Sequence, residues 1–555
     1  MKENKLKDKI RGSLIGGAIG DALGYPVEFM SYKQIVGKYG DKGITRYELY
    51  KNGVAEISDD TQMTLFTANG LLFGCTRGAM RGIMANPSDY IRDSYMEWYQ
   101  TQTGETDYTM PHYNWIREVK ELHARRAPGN TCLQALHELS KGQEANNNSK
   151  GCGGIMRIAP LPLFYCRWGE GSAFCVKEAG ACAAITHKHP LGYLPAALLA
   201  HLIYRLSGST APTSYQIARY VEEGIKLLND VYPDHAKHIA DLKNLLEKAA
   251  RRAVSTLPDE EAIRQIGEGW VAEETLAIAL FCVMRYPDDF ERAIVAAVNH
   301  SGDSDSTGAV AGNLMGVIVG YDAIPDYYKE HLELRWLIEE IADDLADGIP
   351  VSEFGANDTP EQRRWIEKYI YVFDRDRVPV KNSYCVDADL CLFAGEYPGD
   401  KDNDRCRAKI GSSFSYVLHF FDLTEVGELN PYSQYLKNWQ THHRFPIPDT
   451  GVPRDTAGVR RLIEEILSLR ESVHDEHGKI YIHSWGGVGR TGTIVACVYA
   501  YLLRGKGLSA DAIYEQAMKQ LAESFARCPK SRYRMIPDND LQRNFVRRFV
   551  CNECV

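Results

Sequence analysis

The sequence predicts a multidomain protein in which an all-α domain is followed by an α/β domain. At 555 residues the chain is longer than one hydrophobic core usually supports. Up to about residue 350 the apolar residues recur at helical spacing, whereas after about residue 385 short β-rich runs alternate with helical stretches. We therefore expect domains at 1–350 and 385–555, joined by a linker at 351–384 with the boundary near residue 375.

The first domain is predicted to be nearly all helix. Alternating β-type runs are scarce there, and alanine and glycine are frequent on the apolar faces, which predicts closely packed helices. The first helix carries four apolar residues on one face, namely Leu6, Ile10, Leu14 and Ala18. Further helices are predicted over Met63–Phe73, Pro195–Leu206, Tyr215–Leu228, Ala236–Ala253, Glu274–Tyr286 and Phe290–Val298.

The second domain is predicted to contain a largely parallel central sheet, because its strands alternate with helices. The strands are predicted over Leu390–Phe393, Tyr416–Phe421 and Lys479–His483. The helices are predicted over Ala457–Arg470, Gly492–Arg504 and Ala510–Leu521. Between the two domains, Glu361–Ile370 is predicted to form a connecting helix after a loop at residues 354–360.

Charge and hydropathy exclude several classes of protein. The formal net charge is −10 and the pI about 5.9, which gives no reason to expect nucleic acid as a partner. No stretch approaches the roughly 18 apolar residues that cross a bilayer. The apolar run Leu14–Ile19 is too short for a signal peptide and ends at Asp21 rather than at a cleavage site. With 14 scattered cysteines, we expect a cytoplasmic protein with reduced thiols and no membrane partner.

Two acidic clusters, Ser58–Thr61 and Gly302–Thr307, each open a predicted helix. Either cluster alone is explained by helix capping, because serine and acidic side chains favour the positive helix end. Together they supply more hard oxygen ligands than one divalent ion needs, which indicates two Mg²⁺ or Mn²⁺ ions rather than zinc. The candidate metal ligands are Ser58, Asp59, Asp60, Asp303, Asp305 and Ser306.

A glycine-rich loop, Gly151–Arg157, is a candidate phosphate site. The N–H groups of Gly151, Gly153 and Gly154 can approach and cradle a diphosphate, although a flexible turn before a helix explains the same residues. His187 is assigned at most a substrate-lining role, because a hard-metal site does not need imidazole.

These motifs, with the opening segments Arg11–Leu14 and Gly20–Phe29, resemble the ADP-ribosylglycohydrolase family in order across residues 5–350. The resemblance implies a helical fold with two Mg²⁺ (or Mn²⁺) ions in a cleft, bound by the ligands above. It also places Glu28 on a loop that reaches the metal site. The implied reaction releases ADP-ribose by cleaving its C1″ bond, with Asp60 or Asp303 transferring a proton.

The acceptor that is released stays open. The sequence of residues 300–307 is similar to that of the arginine-specific branch of the family. ADP-ribosyl-serine, O-acetyl-ADP-ribose and a nucleic-acid base adduct are alternative substrates. The substrate is accordingly an ADP-ribosylated protein or a small ADP-ribose conjugate. Two rival functions are an ADP-ribose and phosphate reader without turnover, and hydrolysis of another glycosidic or amide bond.

A second glycine-rich loop, His483–Gly492, follows a predicted strand and precedes a helix, so its N–H groups point at an anion. Its sequence resembles the signature loop of the tyrosine and dual-specificity phosphatases, and the likeness covers residues 385–550. By position, Arg490 binds phosphate and Asp449 is the general acid. The remaining phosphate-binding candidates are Trp485, Gly486, Gly487, Val488, Gly489 and Thr491.

The loop departs from that family at its nucleophile, because Ser484 stands where the catalytic cysteine belongs. A serine hydroxyl has a far higher pKa than a thiol, and no base is apparent to activate it. We therefore expect this domain to bind a phosphorylated ligand and hardly turn it over. A deliberate Cys-to-Ser change that traps the ligand and a natural phosphate-reading pseudoenzyme are the two explanations, and the otherwise intact loop favours the first.

Overall fold

A computed structural model of the chain describes residues 2–50, 53–83, 85–104, 114–169, 171–352, 359–370, 382–399, 417–429, 431–470, 473 and 478–554. The chain divides into two units, one of Met1–Asn357 with Lys368–Val372 and the other of Asp358–Glu367 with Phe373–Val555. The predicted boundary near residue 375 lies outside the described residues, as does most of the predicted loop at 354–360. Among the described residues, no helix is long and apolar enough to cross a bilayer.

The first unit, here the N-terminal unit, is built from helices, as the sequence predicts. Two predicted helices, Ala236–Ala253 and Phe290–Val298, are observed with those bounds, and the others are longer than predicted. The helices are α1 (Lys2–Gly24), α2 (Tyr32–Tyr39), α3 (Asp59–Arg81), α4 (Pro87–Thr103), α5 (Asn130–Ser140), α6 (Pro160–Trp168), α7 (Ser172–Ala184), α8 (Pro190–Ser207), α9 (Ser214–Val231), α10 (Ala236–Ala253), α11 (Asp259–Ile266), α12 (Ala272–Arg285), α13 (Phe290–Val298), α14 (Ser304–Val319), α15 (Asp326–Glu330) and α16 (Arg335–Asp347). A further helix, α17 (Pro360–Tyr369), matches the predicted connecting helix.

Helices α1 and α14 pack backbone against backbone at the centre of this unit. A Cβ added at Gly16 would overlap the Gly312 carbonyl oxygen, and a Cβ added at Gly20 would overlap the Gly308 carbonyl oxygen. Glycine at these positions therefore lets the two helices approach more closely than side chains would allow. The predicted close packing of glycine-bearing helices is confirmed, and it fixes the start of α14 next to the end of α1.

The second unit, here the C-terminal unit, contains a five-stranded sheet in the order β1-β2-β5-β3-β4. The pair β1–β2 is antiparallel and the other three pairs are parallel, so the prediction of a largely parallel sheet is confirmed. The strands are β1 (Ser383–Asp387), β2 (Leu392–Glu396), β3 (Val417–Asp422), β4 (Thr441–Arg444) and β5 (Lys479–Ser484). The helices are α18 (Thr456–Ser468), α19 (Gly489–Leu503), α20 (Ala510–Ala526) and α21 (Asp540–Glu553).

The central strand β5 is buried on both faces. Ile480 and Ile482 belong to the larger core cluster that the helices cover, whereas Tyr481 belongs to a smaller cluster on the other face. The strands β1 and β4 were not predicted from the sequence. Strand β4 is polar and half exposed, and it owes its extended form to pairing with β3 rather than to an apolar pattern. The predicted strand at 416–421 is observed from Val417, and residue 416 lies outside the described residues.

Candidate functional site

The two acidic clusters cap the helices α3 and α14, so the capping interpretation holds for both. Ser58 is the N-cap of α3, and its Oγ accepts a hydrogen bond of 3.2 Å from the Asp60 N–H. Asp303 is the N-cap of α14, and its Oδ1 accepts a bond of 3.2 Å from the Ser306 N–H. Capping fixes the backbone of each cluster and places its acidic side chains at a positive helix end.

The structure also brings acidic side chains from distant segments together. Carboxylate oxygens of Glu28, Asp303 and Asp305 all lie within 4.8 Å of one another, and all three residues are buried. Asp59 and Asp60 are buried as well, and the charge of Asp305 acts on both of them. The fold therefore gathers into one acidic site the residues that the sequence singled out on three separate segments.

Burial and mutual repulsion keep these carboxylates from ionising on their own. Burial, with the charges of Asp305 and Asp303, raises the pKa of Glu28 to about 10. Burial and Asp305 raise the pKa of Asp60 and of Asp303 well above the ordinary value. A charge held out of water against like charges needs a counter-charge to stay ionised.

A divalent cation fits this donor set. Among the described residues, Glu28 Oε2 and Asp60 Oδ2 are buried oxygens without a hydrogen-bond partner. Unpartnered buried oxygens of this kind are rare, and a hard cation such as Mg²⁺ takes carboxylate and hydroxyl oxygens as ligands. The residues present therefore fit a hard divalent ion.

Asp21 is a site residue that sequence analysis missed. It is fully buried in α1, and its carboxylate accepts hydrogen bonds from the Ser58 N–H and from the N–H and hydroxyl of Thr61. Burial and the charge of Asp305 raise the pKa of Asp21 to about 7. Asp21 thereby holds the first acidic cluster against α1 through hydrogen bonds, and no pattern in its local sequence predicts that role.

The glycine loop adjoins the second acidic cluster and His187. The side chain of Cys152 hydrogen-bonds Asp303, which places the loop beside that cluster. A Cβ added at Gly153 would lie 2.9 Å from His187 Cε1, and one added at Gly151 would lie 3.4 Å from His187 Nε2. At Gly154 an added Cβ would lie 3.0 Å from the Gly192 carbonyl oxygen. Close packing therefore favours small residues at 153 and 154 whether or not the loop holds a diphosphate, whereas Gly151 has room for a side chain. The phosphate role of the loop stays a prediction.

His187 is buried and neutral. Its Nδ1 lies 2.9 Å from the Thr186 hydroxyl, which also accepts a bond of 2.6 Å from the guanidinium of Arg157. Burial and the charge of Arg157 lower the pKa of His187 to about 3. The imidazole thus lines the glycine loop as an uncharged ring, and the substrate-lining role stays a prediction.

In the C-terminal unit, the second glycine-rich loop joins β5 to α19. Ser484 is buried, and its Oγ lies 2.8 Å from the Thr491 hydroxyl. The N-cap residue Val488 offers no side-chain bond, so the first-turn N–H groups of α19 stay available to an anion. Gly487 has a φ of +72°, and a Cβ there would overlap the backbone of Gly395, so the turn requires glycine.

Other members of that loop differ in accessibility. The side chain of Trp485 is half exposed, and an added Cβ at Gly486 would meet open space. A Cβ at Gly489 would lie 2.6 Å from Asp538 Oδ2, so the start of the helix is tightly packed. The open side of the loop is therefore the stretch at residues 485 and 486.

Arg490 is held by acidic side chains. Its Nη1 and Nη2 donate to both carboxylate oxygens of Glu428, at 2.7 and 2.6 Å, and Asp449 Oδ1 lies 3.3 Å from Nη2. The hydrogen bonds from Arg490 hold the pKa of Glu428 below its usual range. The structure thus places Asp449 beside the arginine, and its predicted role as the general acid stays a prediction. It adds Glu428, which sequence analysis missed.

Comparison with known proteins places the N-terminal unit. The family model for ADP-ribosylglycohydrolase matches residues 2–353, which is more than half of the chain. The chain belongs to the ADP-ribosylglycohydrolase family. It is 26% identical over 362 residues to ADP-ribosylhydrolase ARH3 of Danio rerio, covering 61% of this chain and 89% of that protein. It is 25% identical over 333 residues to the ADP-ribosyl-[dinitrogen reductase] glycohydrolase of Rhodospirillum rubrum, covering 59% of this chain and 91% of that protein.

The C-terminal unit has its own match. The family model described as a polymorphic toxin system DSP-PTPase phosphatase matches residues 417–505. Among solved structures, an ADP-ribosylglycohydrolase-related protein complex is 25% identical with a TM-score of 0.44, covering 62% of this chain and 99% of that chain. A kinase-associated phosphatase with its catalytic cysteine replaced by serine is 22% identical with a TM-score of 0.24, covering 31% of this chain and 96% of that chain. The two family models together support the fusion of a glycohydrolase domain to a phosphatase-like domain.

Proposed function

We propose that the N-terminal unit is a hydrolase that cleaves the C1″ bond of an ADP-ribosylated protein or small ADP-ribose conjugate and releases ADP-ribose. The observation that supports this proposal is the buried site in which Glu28, Asp303 and Asp305 converge. Cleavage at C1″ requires stabilisation of oxocarbenium-like positive charge and an activated water, and buried carboxylates serve both needs. Membership in the family supports the same reaction class.

The proposed ligands of two Mg²⁺ or Mn²⁺ ions are the oxygens of the two capped clusters. Bound ions would polarise the ribose hydroxyls and lower the pKa of the attacking water. The proposed ligand set is Ser58, Asp59, Asp60, Asp303, Asp305 and Ser306. The burial of the four carboxylates supports the assignment, because a buried charge needs a counter-charge.

The chain's own residues supply proton transfer and orientation in this proposal. Asp60 or Asp303 accepts the proton of the attacking water and returns one to the leaving group. Glu28 completes the acidic site from its own loop. The loop at 151–154 binds the diphosphate through its N–H groups, and the neutral His187 ring lines it.

Substitution of the proton-transfer candidates tests the proposal. We expect Asp60→Ala and Asp303→Ala to abolish release of ADP-ribose from an ADP-ribosylated peptide, because each removes a carboxylate from the acidic site. Asp234→Ala is the matched control, since Asp234 is an exposed aspartate outside the site. Release is measured by mass spectrometry of the free nucleotide. A normal rate in either site variant would contradict the assignment.

We infer that the C-terminal unit binds a phosphorylated ligand through residues 484–491 and does not turn it over with Ser484 in place. Support comes from the N–H groups at the start of α19, which have no side-chain cap, and from Arg490 in the same turn. Asp449 would act as the general acid once a competent nucleophile is present. The buried hydroxyl of Ser484 has Thr491 as its hydrogen-bond partner, and threonine is no base.

A further inference from the structure

Two exposed aromatic rings lie side by side next to the acidic site. Phe29 is 74% exposed and Trp270 is 38% exposed. Their ring centroids are 5.8 Å apart and their planes differ by 21°, so the rings are stacked. A single exposed aromatic residue is ordinary, but in this stacked pair from two distant segments each ring supports the other and leaves its outer face open to a ligand.

Phe29 is attached directly to the acidic site. It follows Glu28 in the chain, and the Glu28 carboxylate lies among those of Asp303 and Asp305. Glu28 is buried while Phe29 is exposed, so the chain passes from the inside of the site to its rim within one residue. The ring of Phe29 therefore lies at the mouth of the acidic site.

Trp270 is held at the same rim by backbone contacts with both site loops. Its carbonyl oxygen accepts a bond of 3.3 Å from the Cys152 N–H, and the Glu268 carbonyl oxygen accepts one of 2.9 Å from the Asp303 N–H. Between them, Gly269 has a φ of +86°, and an added Cβ would lie 2.7 Å from Thr307 Cγ2. This packing fixes the backbone of Trp270 between the glycine loop and the second acidic cluster.

A planar cation matches this surface. Guanidinium groups stack on aromatic faces, and the outer faces of this pair are exposed. A serine leaving group has neither the positive charge nor the plane, and an acetyl group is planar but carries no positive charge. Adenine also stacks on aromatic rings, but in ADP-ribose the diphosphate separates adenine from the ribose whose bond is cleaved, so a platform beside the carboxylates contacts the leaving group.

We propose that Phe29 and Trp270 form an acceptor platform that stacks on the guanidinium of an ADP-ribosylated arginine. This inference rests on the proposed function and names the substrate class of the same site. The platform selects the acceptor, whereas the carboxylates perform the cleavage.

The test compares two linkages in the full chain with Mg²⁺. For Phe29→Ala and Trp270→Ala, kcat/KM is measured on matched ADP-ribosyl-arginine and ADP-ribosyl-serine peptides, and the Kd of free ADP-ribose by calorimetry. We expect kcat/KM on the arginine peptide to fall about tenfold, the effect of one partly desolvated cation–π contact. The serine peptide and ADP-ribose should change less than about twofold.

Controls separate stacking from general damage. Phe29→Tyr and Trp270→Phe keep an aromatic face and should keep the arginine preference. Tyr215→Ala and Trp336→Ala remove exposed aromatic residues elsewhere in the same unit and should change neither substrate. Thermal unfolding of each variant shows whether the fold is retained.

Three results would overturn the platform. The first is unchanged kinetics of both variants on the arginine peptide. The second is an equal loss of kcat/KM on both peptides with weaker binding of ADP-ribose, which would identify an adenine platform. The third is cleavage of the serine peptide alone by the parent chain. If the parent chain cleaves neither peptide, the proposed function fails, and the affinities of the uncleaved peptides then test the platform. A selective loss of affinity for the arginine peptide in Phe29→Ala supports the platform, and an equal loss for both peptides or no loss overturns it.

Discussion

At the residue scale, the acidic site depends on Asp21, whose carboxylate accepts three hydrogen bonds from the first acidic cluster. The donors are the N–H groups of Ser58 and Thr61 and the Thr61 hydroxyl. These bonds orient the cluster without placing Asp21 among the proposed metal ligands. Residues that orient ligands in this way typically change metal affinity or activity by 10–100-fold when they are replaced, on the order of 1–3 kcal/mol.

The substitution Asp21→Asn tests that role. The amide turns an NH₂ group toward donors, so at least one buried N–H or hydroxyl loses its acceptor, at a cost of about 1–3 kcal/mol in unfolding free energy. We expect a lower unfolding midpoint in urea and a higher Mg²⁺ concentration for half-maximal ADP-ribose release. Asp234→Asn, at an exposed site, is the matched control. Unchanged stability together with an unchanged Mg²⁺ requirement would refute this role.

Ser484 decides whether the C-terminal unit is an enzyme. Its Oγ has the Thr491 hydroxyl at 2.8 Å, and it precedes a helix start that carries Arg490. Such surroundings depress the pKa of a thiol by several units, whereas a hydroxyl starts too high to benefit. Whether this unit is catalytic therefore depends on one atom, the oxygen of Ser484 in place of a cysteine sulfur.

The substitution Ser484→Cys should create phosphatase activity toward para-nitrophenyl phosphate. The thiolate would be stabilised by the first turn of α19 and by Arg490, and Asp449 would protonate the leaving group. Release of para-nitrophenol is followed by absorbance, with Ser484→Ala as the inactive control. Should the cysteine variant gain no activity, a natural phosphate-reading pseudoenzyme becomes the better explanation.

At the element scale, the position of the second acidic cluster follows from how α14 packs against α1. Glycines on each helix face the backbone of the other, so the helices touch without intervening side chains. Because Asp303 and Asp305 stand at the start of α14 and Asp21 stands in α1, this contact brings together groups that are about 280 residues apart in the chain. A shift of either helix would open the site.

The substitution Gly312→Ala tests this contact. An added Cβ would overlap the Gly16 carbonyl oxygen, and overpacking of this kind costs about 3 kcal/mol of unfolding free energy. Gly37→Ala in α2 is the matched control, because nothing lies within 4 Å of its added Cβ and alanine is favoured in a helix by about 0.5–1 kcal/mol. Urea unfolding measures both. Equal stability of the two variants would rule out the close packing of α1 and α14.

Sequence pattern predicted the helices of the N-terminal unit more fully than the strands of the C-terminal unit. Helical periodicity is local, so Ala236–Ala253 was predicted with its observed bounds. The edge strand Thr441–Arg444 carries no apolar alternation and becomes extended only by pairing with β3. Tertiary pairing of this kind leaves no trace in a short polar segment.

The candidate site was predictable where its residues cluster in sequence. The acidic clusters at 58–60 and 303–306 stand out because carboxylates and hydroxyls are adjacent. The structure brings Asp303 and Asp305 together with Glu28, and the charge of Asp305 acts on Asp59 and Asp60. Asp21, Trp270 and Glu428 could not be found in that way, because each is a single residue in a segment that shows no cluster of chemically related side chains. Their roles depend on contacts across the fold, which no spacing rule encodes.

At the scale of the whole molecule, the chain combines two units with different chemistry. The N-terminal unit belongs to the ADP-ribosylglycohydrolase family. The C-terminal unit is an α/β domain whose glycine loop leads into the uncapped N-terminus of α19. Each unit has its own core and its own candidate site. The central claim concerns the first unit, namely that a buried set of carboxylates holds divalent ions and hydrolyses an ADP-ribosyl bond.

The most direct measurement is release of free ADP-ribose from an ADP-ribosylated protein, quantified by mass spectrometry with Mg²⁺ and with EDTA. The carboxylates around Glu28 repel one another and need a counter-charge, so we expect release with Mg²⁺ and its loss in EDTA, with recovery when Mg²⁺ or Mn²⁺ is restored. Release that persists in EDTA would contradict the metal-dependent account. No release in Mg²⁺, with ADP-ribose still bound, would show a reader rather than a hydrolase.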